Sequence, residues 1–221
     1  MSDLNNKIDG KKLYNAILNG GRKIIENRRS LNEINVFPVP DGDTGSNLSH
    51  TMKSIMNNSK PKSTIAETSS SIAEAALIGS RGNAGIIFAQ FLMGVSKASE
   101  NLEHLNPSSF SSVMNQAVSH TYQSTEQPVE GTILTVMKEW ASSLKSTEEK
   151  RQNFYNRLSY SLERAKTSLQ KTKEKLDILR EENVVDAGAK GFVIFLEGVL
   201  ESIIYGKTVD KAPEVESTEI E

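Results

Sequence analysis

The sequence contains no cysteine and few of the patterns that form a sheet. Because none of its 221 residues is a cysteine, disulfide bonds and thiolate metal ligands are excluded. Alternation of apolar and polar residues is nowhere sustained, whereas apolar residues recur at helical spacing along most of the chain. Only 6 prolines interrupt the chain, which leaves room for long helices. The sequence therefore predicts an all-α fold, and the absence of cysteine is consistent with a cytoplasmic location.

The chain also lacks a strong charge of one sign and a long apolar run. Its formal net charge is −2, so no basic surplus indicates a nucleic-acid partner. The N-terminus is polar, without the apolar core of a signal peptide. The longest apolar candidate, residues 191–204, is interrupted by Glu197 and Glu201, and we expect no membrane insertion. The length favours one helical domain over residues 1–207, followed by a polar, acidic linker or disordered tail over residues 208–221.

Periodic apolar residues predict about eight amphipathic helices separated by short turns. The third predicted helix has its cap at Ser63 or Thr64, and a short bridging piece is expected at residues 176–179. If the helices pack up and down as an antiparallel barrel, alternate turns meet at one end, and that end holds the chemistry. The predicted helices cover about residues 9–28, 46–57, 64–78, 86–95, 106–125, 133–144, 147–173 and 191–205.

The stretch richest in chemistry is the loop of residues 35–47, with the sequence NVFPVPDGDTGSN. Two carboxylates, Asp41 and Asp43, stand one residue apart, and Gly42 and Gly45 let the backbone turn sharply around a small ligand. Short polar side chains follow, directly at the start of a predicted helix: Thr44, Ser46 and Asn47. Carboxylates for a hard cation and the free N–H groups of a helix start together suit a metal–phosphate site. The structural alternative is an exposed Asp-Gly turn that caps the helix.

Three further turns rich in glycine and small polar residues precede helices. Residues 79–85, GSRGNAG, have the composition of a phosphate or nucleotide cradle, in which Arg81 either holds a phosphate or is solvated. The turns at residues 130–132 and 186–188 are weaker signals that, taken alone, indicate helix caps.

Other phosphate and metal motifs do not fit the chain. An EF-hand that begins at Asp41 has Gly45 at its fifth position and Met52 at its twelfth, so the match fails after two ligands. An aspartyl-phosphate enzyme needs its nucleophile after a buried strand, which residues 37–40, FPVP, do not form. The P-loop pattern is absent.

Two other features carry weaker hypotheses. The three histidines share no metal-ligand spacing, and only His50, one turn past the aspartate loop, is a candidate site residue. Residues 150–175 are rich in lysine and arginine, which usually indicates a solvated helix face; a docking surface for an acidic partner is the alternative.

Taken together, four motifs resemble the nucleotide-binding domain of the dihydroxyacetone kinase L type, and more closely the N-terminal domain of the bacterial fatty acid kinase catalytic subunit. The motifs are residues 35–47, SRGNAG at 80–85, PVEGTILTV at 128–136 and VVDAGAKG at 184–191, in the family's order. The resemblance covers nearly the whole chain. It implies a barrel of eight antiparallel helices with the nucleotide site at one end.

The resemblance also implies the roles of individual residues. Asp41 and Asp43 are implied to bind two Mg²⁺ ions that hold the phosphates of ATP. Dihydroxyacetone kinases have a third aspartate where this chain has Val36, and the adjacent Asn35 is implied as the substitute ligand through its side-chain oxygen. Fatty acid kinases usually carry serine where this chain has Ala84, so one hydroxyl contact is missing or is replaced by a backbone N–H. The other residues implied to contact the nucleotide are Thr44, Gly45, Ser46, Asn47, Ser80, Arg81, Gly82, Asn83, Thr132, Asp186 and Gly188.

The implied reaction is transfer of phosphate from ATP to the carboxylate of a fatty acid, giving an acyl phosphate. A carboxylate with a pKa of about 4 to 5 is already ionised at neutral pH and needs no general base. The resemblance implies a separate binding protein that presents the fatty acid, and a longer parent chain with further domains after residue 221. The alternatives are a dihydroxyacetone kinase subunit and a non-catalytic module that binds ADP or ATP with Mg²⁺ and regulates a partner.

Overall fold

The computed structural model describes residues 7–146 and 153–208, which form ten helices and no β-strand. Eight helices have 14 to 22 residues, and two have five or six. The all-α prediction is thereby confirmed. The helices are α1 Gly10–Glu26, α2 Arg28–Glu33, α3 Thr44–Asn58, α4 Ile65–Gly79, α5 Gly82–Ala98, α6 Pro107–Gln123, α7 Ile133–Ser146, α8 Phe154–Lys175, α9 Asp177–Glu181 and α10 Ala187–Tyr205.

Short polar side chains determine where several of the long helices begin. The side chain of Asp9 accepts a hydrogen bond from the backbone N–H of Lys12 at 2.8 Å, and Asn106 forms a reciprocal capping box with Ser109. Such caps contribute about 1 kcal/mol each. Helices α3 and α5 differ, because the residues before them, Asp43 and Arg81, make no side-chain capping bond. These two helices follow the aspartate loop and the 79–85 turn.

The eight long helices form a closed ring. Each packs against the next one along the chain, and α10 returns to pack extensively against α1. The α1–α10 contact is close because two glycines face each other: a Cβ added to Gly198 would lie 2.6 Å from the Cα atom of Gly20. Asn19 donates its side-chain N–H to the carbonyl of Gly198 at 2.7 Å across the same contact.

Five aromatic rings fill the centre of the barrel. Neighbouring rings meet mostly edge to face, and their centroids lie 4.9 to 6.5 Å apart. The five residues are Phe88, Phe91, Trp140, Phe192 and Phe195.

The structure corrects several predicted boundaries. Helix α2 was not predicted, because six residues are too few to show an apolar period. Helices α3, α5 and α10 begin two to four residues earlier than predicted. Their first turns are built from Gly, Ala, Thr and Asn, which lack the apolar signal of a helix but fit its start.

The predicted start of α8 at residue 147 is wrong as a continuous helix. Asn153 has extended backbone angles and caps α8, which therefore begins at Phe154. Residues 147–152 and the predicted tail from residue 209 lie outside the described residues. Within the described part of the chain, no helix is long and apolar enough to cross a membrane.

Candidate functional site

The four turns singled out in the sequence meet around a cavity of about 780 Å³ at one end of the barrel. Its wall includes residues from the starts of α3, α5, α7 and α10, which are alternate helices of the ring. Neighbouring long helices therefore run in opposite directions. Helix starts carry a partial positive charge and N–H groups that have no partner within the helix, so a cavity surrounded by four of them favours an anion such as phosphate. Asn35 and Asp186 already accept some of these N–H groups.

Asp41 and Asp43 lie at the mouth of the cavity with exposed side chains. Neither carboxylate forms a hydrogen bond or an ion pair with another residue in the described ranges. Those ranges also contain no cluster of three or more acidic or histidine side chains that would hold a metal by itself. A cation held by this pair would therefore take its remaining ligands from water or phosphate oxygens, as Mg²⁺ commonly does.

Asn35 connects the two ends of the aspartate loop. Its side chain is buried, with 5% of its surface exposed. Its amide oxygen accepts hydrogen bonds from the backbone N–H of Thr44, at 2.9 Å, and from the Thr44 hydroxyl, while its amide N–H donates to the carbonyl of Val39 at 2.8 Å. The implied role of Asn35 as a metal ligand requires the same oxygen and stays a prediction. In this structure the side chain fixes the loop that carries both aspartates.

Helix α2 packs against the end of the aspartate loop, where α3 begins. The side-chain oxygen of Asn32 accepts the backbone N–H of Ser46 at 3.0 Å, and its N–H donates to the Ser46 hydroxyl at 2.9 Å. Gly45 packs so closely on α2 that an added Cβ would clash with the carbonyl oxygen of Arg28. Gly45 and Ser46 do not line the cavity. They are placed where they hold the start of α3.

The start of α5 forms a second wall. Gly82, Asn83 and Ala84 line the cavity, and Gly82 has a φ of 59° that favours glycine. A Cβ at this position would clash with the side-chain amide of Asn47, which also lines the cavity, so the first two motifs are in direct contact.

Two implied residues of the 80–85 motif and His50 lie outside the cavity wall. The hydroxyl of Ser80 donates to the carbonyl of Leu77 at 2.9 Å, and Arg81 is exposed. The Nδ1 atom of His50 lies 2.9 Å from the carbonyl oxygen of Gly79, where it ties α3 to the end of α4.

Thr132, Asp186 and Gly188 form the far wall. Asp186 is buried and receives the backbone N–H of Ala189 at 2.7 Å, and the backbone N–H of Ile133 also stabilises its charged form. Burial nevertheless raises the pKa of this carboxyl to about 6. One carboxylate thus connects the starts of α7 and α10.

Sequence reasoning missed about half of the residues that line the cavity. Residues 124–127 are ordinary polar residues at the end of a predicted helix and match no motif. Ile86 lies in the second turn of α5 and is 49% exposed, which the apolar sequence of that helix does not reveal. Among the lining residues that were not named as candidates, six lie within the 35–47 and 128–136 motifs: Phe37, Pro38, Val39, Val129, Ile133 and Leu134. The others lie outside every quoted motif: Ile86, Ile87, Gln90, Ser124, Thr125, Glu126 and Gln127.

These features define a class of protein: a closed antiparallel helical barrel with a free acid pair and four helix starts around a cavity large enough for a nucleotide. The DAK2 domain model matches residues 38–201, most of the chain. The chain therefore belongs to the DAK2 domain family, which confirms the resemblance seen in the four motifs.

The relatives of the chain are longer proteins. Protein YloV of Bacillus subtilis is 36% identical over 204 residues, which are 91% of this chain and 37% of YloV. An uncharacterized protein of Staphylococcus saprophyticus is 36% identical over 207 residues, again 37% of that protein. The chain thus spans little more than a third of the length of these relatives.

Two solved structures share the fold. The native dihydroxyacetone kinase of C. freundii superposes with a TM-score of 0.64 at 17% identity, over 86% of this chain and 34% of that one. The same enzyme in complex with AMP-PNP and Mg²⁺ gives a TM-score of 0.61 at 16% identity, over 86% and 33%. At this identity the likeness establishes the barrel.

Proposed function

We propose that this chain is the ATP- and Mg²⁺-binding domain of a kinase that phosphorylates the carboxylate of a fatty acid. The observation that carries the proposal is the free acid pair, Asp41 and Asp43, at the mouth of a cavity surrounded by four helix starts. Phosphoryl transfer depends mainly on positioning and on neutralising phosphate charge, and this arrangement offers both. The related barrel that was solved with AMP-PNP and Mg²⁺ supports the same ligands here.

In this proposal each wall has a task. Asp41 and Asp43 hold Mg²⁺, as two ions with Asn35 as a further ligand, and Mg²⁺ when bound neutralises phosphate oxygens. Asn47 and residues 82–84 bind phosphates through amide and backbone N–H groups, and Thr44, whose N–H and hydroxyl donate to Asn35, lines the same wall. Gly45 and Ser46 support the start of α3 from outside the cavity wall, and Ser80 and Arg81 directly precede the start of α5. Thr132, Asp186 and Gly188 close the site from the opposite side.

The choice of a carboxylate as acceptor rests on the resemblance in the four motifs and agrees with the lack of a histidine base at the cavity. In the described part of the chain no histidine lines the cavity, and its acidic residues are Asp41, Asp43, Glu126 and Asp186. An ionised carboxylate needs no proton removed before it attacks phosphorus, whereas an alcohol does. The lack of a histidine agrees with acyl phosphate formation, and the Glu126 and Asp186 carboxylates are the bases that an alcohol such as dihydroxyacetone would need.

The test begins with titration calorimetry of ATP into this chain, with Mg²⁺ and then with EDTA. We expect Mg²⁺-dependent binding that Asp43→Asn weakens at least tenfold, because one carboxylate ligand is lost. Asp177→Asn is the matched control, since it removes a carboxylate on α9 that is 82% exposed, pairs with Arg180 and does not line the cavity. Equal affinity in the wild type and Asp43→Asn would refute the metal site.

Substrate class requires a second assay. The chain is mixed with ATP, Mg²⁺ and a fatty acid bound to a fatty-acid-binding protein, and the acyl phosphate is trapped with hydroxylamine. A hydroxamate product supports the proposal, and phosphorylation of dihydroxyacetone instead would favour the second kinase type. This chain spans 37% of YloV, so the assay is repeated with the longer parent chain. Nucleotide binding without transfer to either acceptor in both proteins would favour a non-catalytic regulatory module.

The proposal also covers the division into domains, the partner protein and the location of the reaction. Residues 1–207 act as the nucleotide-binding domain, and residues 208–221 link it to further domains that the longer relatives suggest. A separate protein delivers the fatty acid, and the reaction takes place in the cytoplasm.

A further inference from the structure

The loop between α6 and α7 forms a wall of the cavity without belonging to any helix. It joins Gln123, the last residue of α6, to Ile133, the first of α7. Most of its side chains are exposed, so burial alone does not fix its path. The loop residues that line the cavity are Ser124, Thr125, Glu126, Gln127, Val129 and Thr132.

Glu130 fastens this loop to both helices. Its carboxylate accepts a hydrogen bond from the Thr135 hydroxyl at 2.6 Å, in the first turn of α7. It accepts another from the Tyr122 hydroxyl at 3.2 Å, near the end of α6. The Nζ atom of Lys138 lies 3.7 Å from the same carboxylate and 5.6 Å from the centre of the Tyr122 ring. We call Tyr122, Glu130, Thr135 and Lys138 the Glu130 clasp.

The clasp also determines the backbone next to the cavity. The Thr135 hydroxyl accepts the backbone N–H of Gly131 at 2.8 Å while it donates to Glu130, and Thr135 is only 4% exposed. Gly131 has a φ of 89°, which glycine adopts without strain. The next residue, Thr132, lines the cavity and donates its hydroxyl to the carbonyl of Val129 at 2.7 Å. One carboxylate therefore fixes the course of the loop on either side of its cavity-facing part.

The ionisation of the clasp agrees with this geometry. The hydrogen bond from Thr135 lowers the pKa of Glu130, and Lys138 lowers it further, so the residue is charged at neutral pH. Burial and the nearby Glu130 carboxylate raise the pKa of Tyr122, so its hydroxyl keeps the proton that it donates. An exposed Lys–Glu pair contributes little by itself. The Thr135 hydrogen bond to a charged acceptor is the stronger contact.

We propose that Glu130 is a positioning residue that holds the α6–α7 loop as a wall of the nucleotide cavity and thereby sets the affinity for nucleotide. The inference rests on the proposed function and adds a residue that does not itself line the cavity. When the clasp is broken, nucleotide binding must order the loop, and that cost appears as weaker binding.

The experiment compares Mg·ATP affinity in the wild type, Glu130→Gln, Thr135→Val and Thr135→Ser. The first two variants remove a charged acceptor or its donor, and we expect the dissociation constant to rise about three- to tenfold. Thr135→Ser keeps the hydroxyl, so its affinity should stay within about twofold of the wild type. Glu100→Gln is the matched control, since it makes the same change at an exposed carboxylate that lies outside the clasp and the cavity wall.

Hydrogen exchange without nucleotide supplies a readout that general destabilisation does not mimic. In Glu130→Gln the amides of residues 124–132 should exchange faster, while those in the middle of α10 keep wild-type rates. Wild-type affinity in both Glu130→Gln and Thr135→Val would overturn the inference, and so would unchanged exchange in the loop. If the wild type itself fails to bind Mg·ATP, the proposed function fails, and exchange in the loop still decides whether the clasp exists.

Discussion

The buried polar side chains at the cavity form hydrogen bonds with the backbone and do not face solvent. Asn35 positions the first residue of α3, and Asp186 connects the starts of α7 and α10. Buried polar groups are stable only when they are hydrogen-bonded, so each of these side chains fixes the segment that satisfies it. Asp41 and Asp43 remain free to bind a cation because another side chain, that of Asn35, holds their loop in place.

Asp186 should make the folded protein less stable as pH rises, whereas an acid in a salt bridge makes it more stable as pH rises. Its pKa is raised from 3.8 to about 6 in the folded protein, so between those pH values the folded state binds more protons than the unfolded state. The free energy of unfolding therefore falls as pH rises from about 4 to 6, by up to ~3 kcal/mol from this group. Urea unfolding at several pH values measures the change.

The matched comparison is Asp186→Asn, which cannot ionise. Its stability should lack that fall between pH 4 and 6, even if an unpaired N–H lowers its absolute value. Asp177→Asn, on exposed α9, should keep the wild-type pH profile. Parallel profiles for the wild type and Asp186→Asn would contradict the prediction.

Among the elements, the short helix α2 has a larger role than its six residues suggest. Asn32 of α2 accepts a hydrogen bond from the backbone N–H of Ser46 in the first turn of α3. Gly45 has no side chain and therefore allows the two helices to touch. The aspartate loop spans the gap between them. The position of both carboxylates therefore depends on how α3 sits on α2.

Gly45→Ala should separate α3 from α2 and disturb the acid pair. The added methyl meets a backbone carbonyl that cannot move aside, and overpacking of this kind costs about 1 to 3 kcal/mol. We expect weaker binding of Mg·ATP in addition to lower stability, measured by calorimetry and urea unfolding.

Gly94→Ala is the control for this change. Its methyl would lie 2.7 Å from the Cα atom of Ala117, between α5 and α6 and outside the cavity wall. It should lower stability without altering affinity for the nucleotide. Equal losses of affinity in the two variants would show that Gly45 has no special connection to the site.

For the whole molecule, periodicity was enough to predict the helices, whereas their closure into a barrel was implied by the resemblance in the four motifs. Eight long helices were predictable because each repeats apolar residues at helical spacing over 14 residues or more. The acid pair and the 79–85 turn were singled out from their residues, whereas the 130–132 and 186–188 turns entered the predicted site only through the resemblance. Residues 124–127 of the α6–α7 wall were not predicted, because the identity of residues such as Ser124 and Gln127 says nothing about which cavity they face. Which residues face the cavity is decided only when the ring of helices closes and brings distant helix starts together.

The same closure predicts that a nucleotide stabilises the entire barrel. The cavity wall combines segments from residue 35 to residue 188, so a ligand that contacts all its walls resists separation of the first half of the ring from the second. At a concentration 100 times its dissociation constant, a ligand specific for the folded state adds about 2.7 kcal/mol to the free energy of unfolding. For a chain of this size that corresponds to about 5 to 11 °C in the melting temperature. We expect this shift with ATP and Mg²⁺ in a thermal scan followed by circular dichroism, and a much smaller one with ATP and EDTA. An equal shift in EDTA would mean that the phosphates are held by the helix starts alone, without the two aspartates.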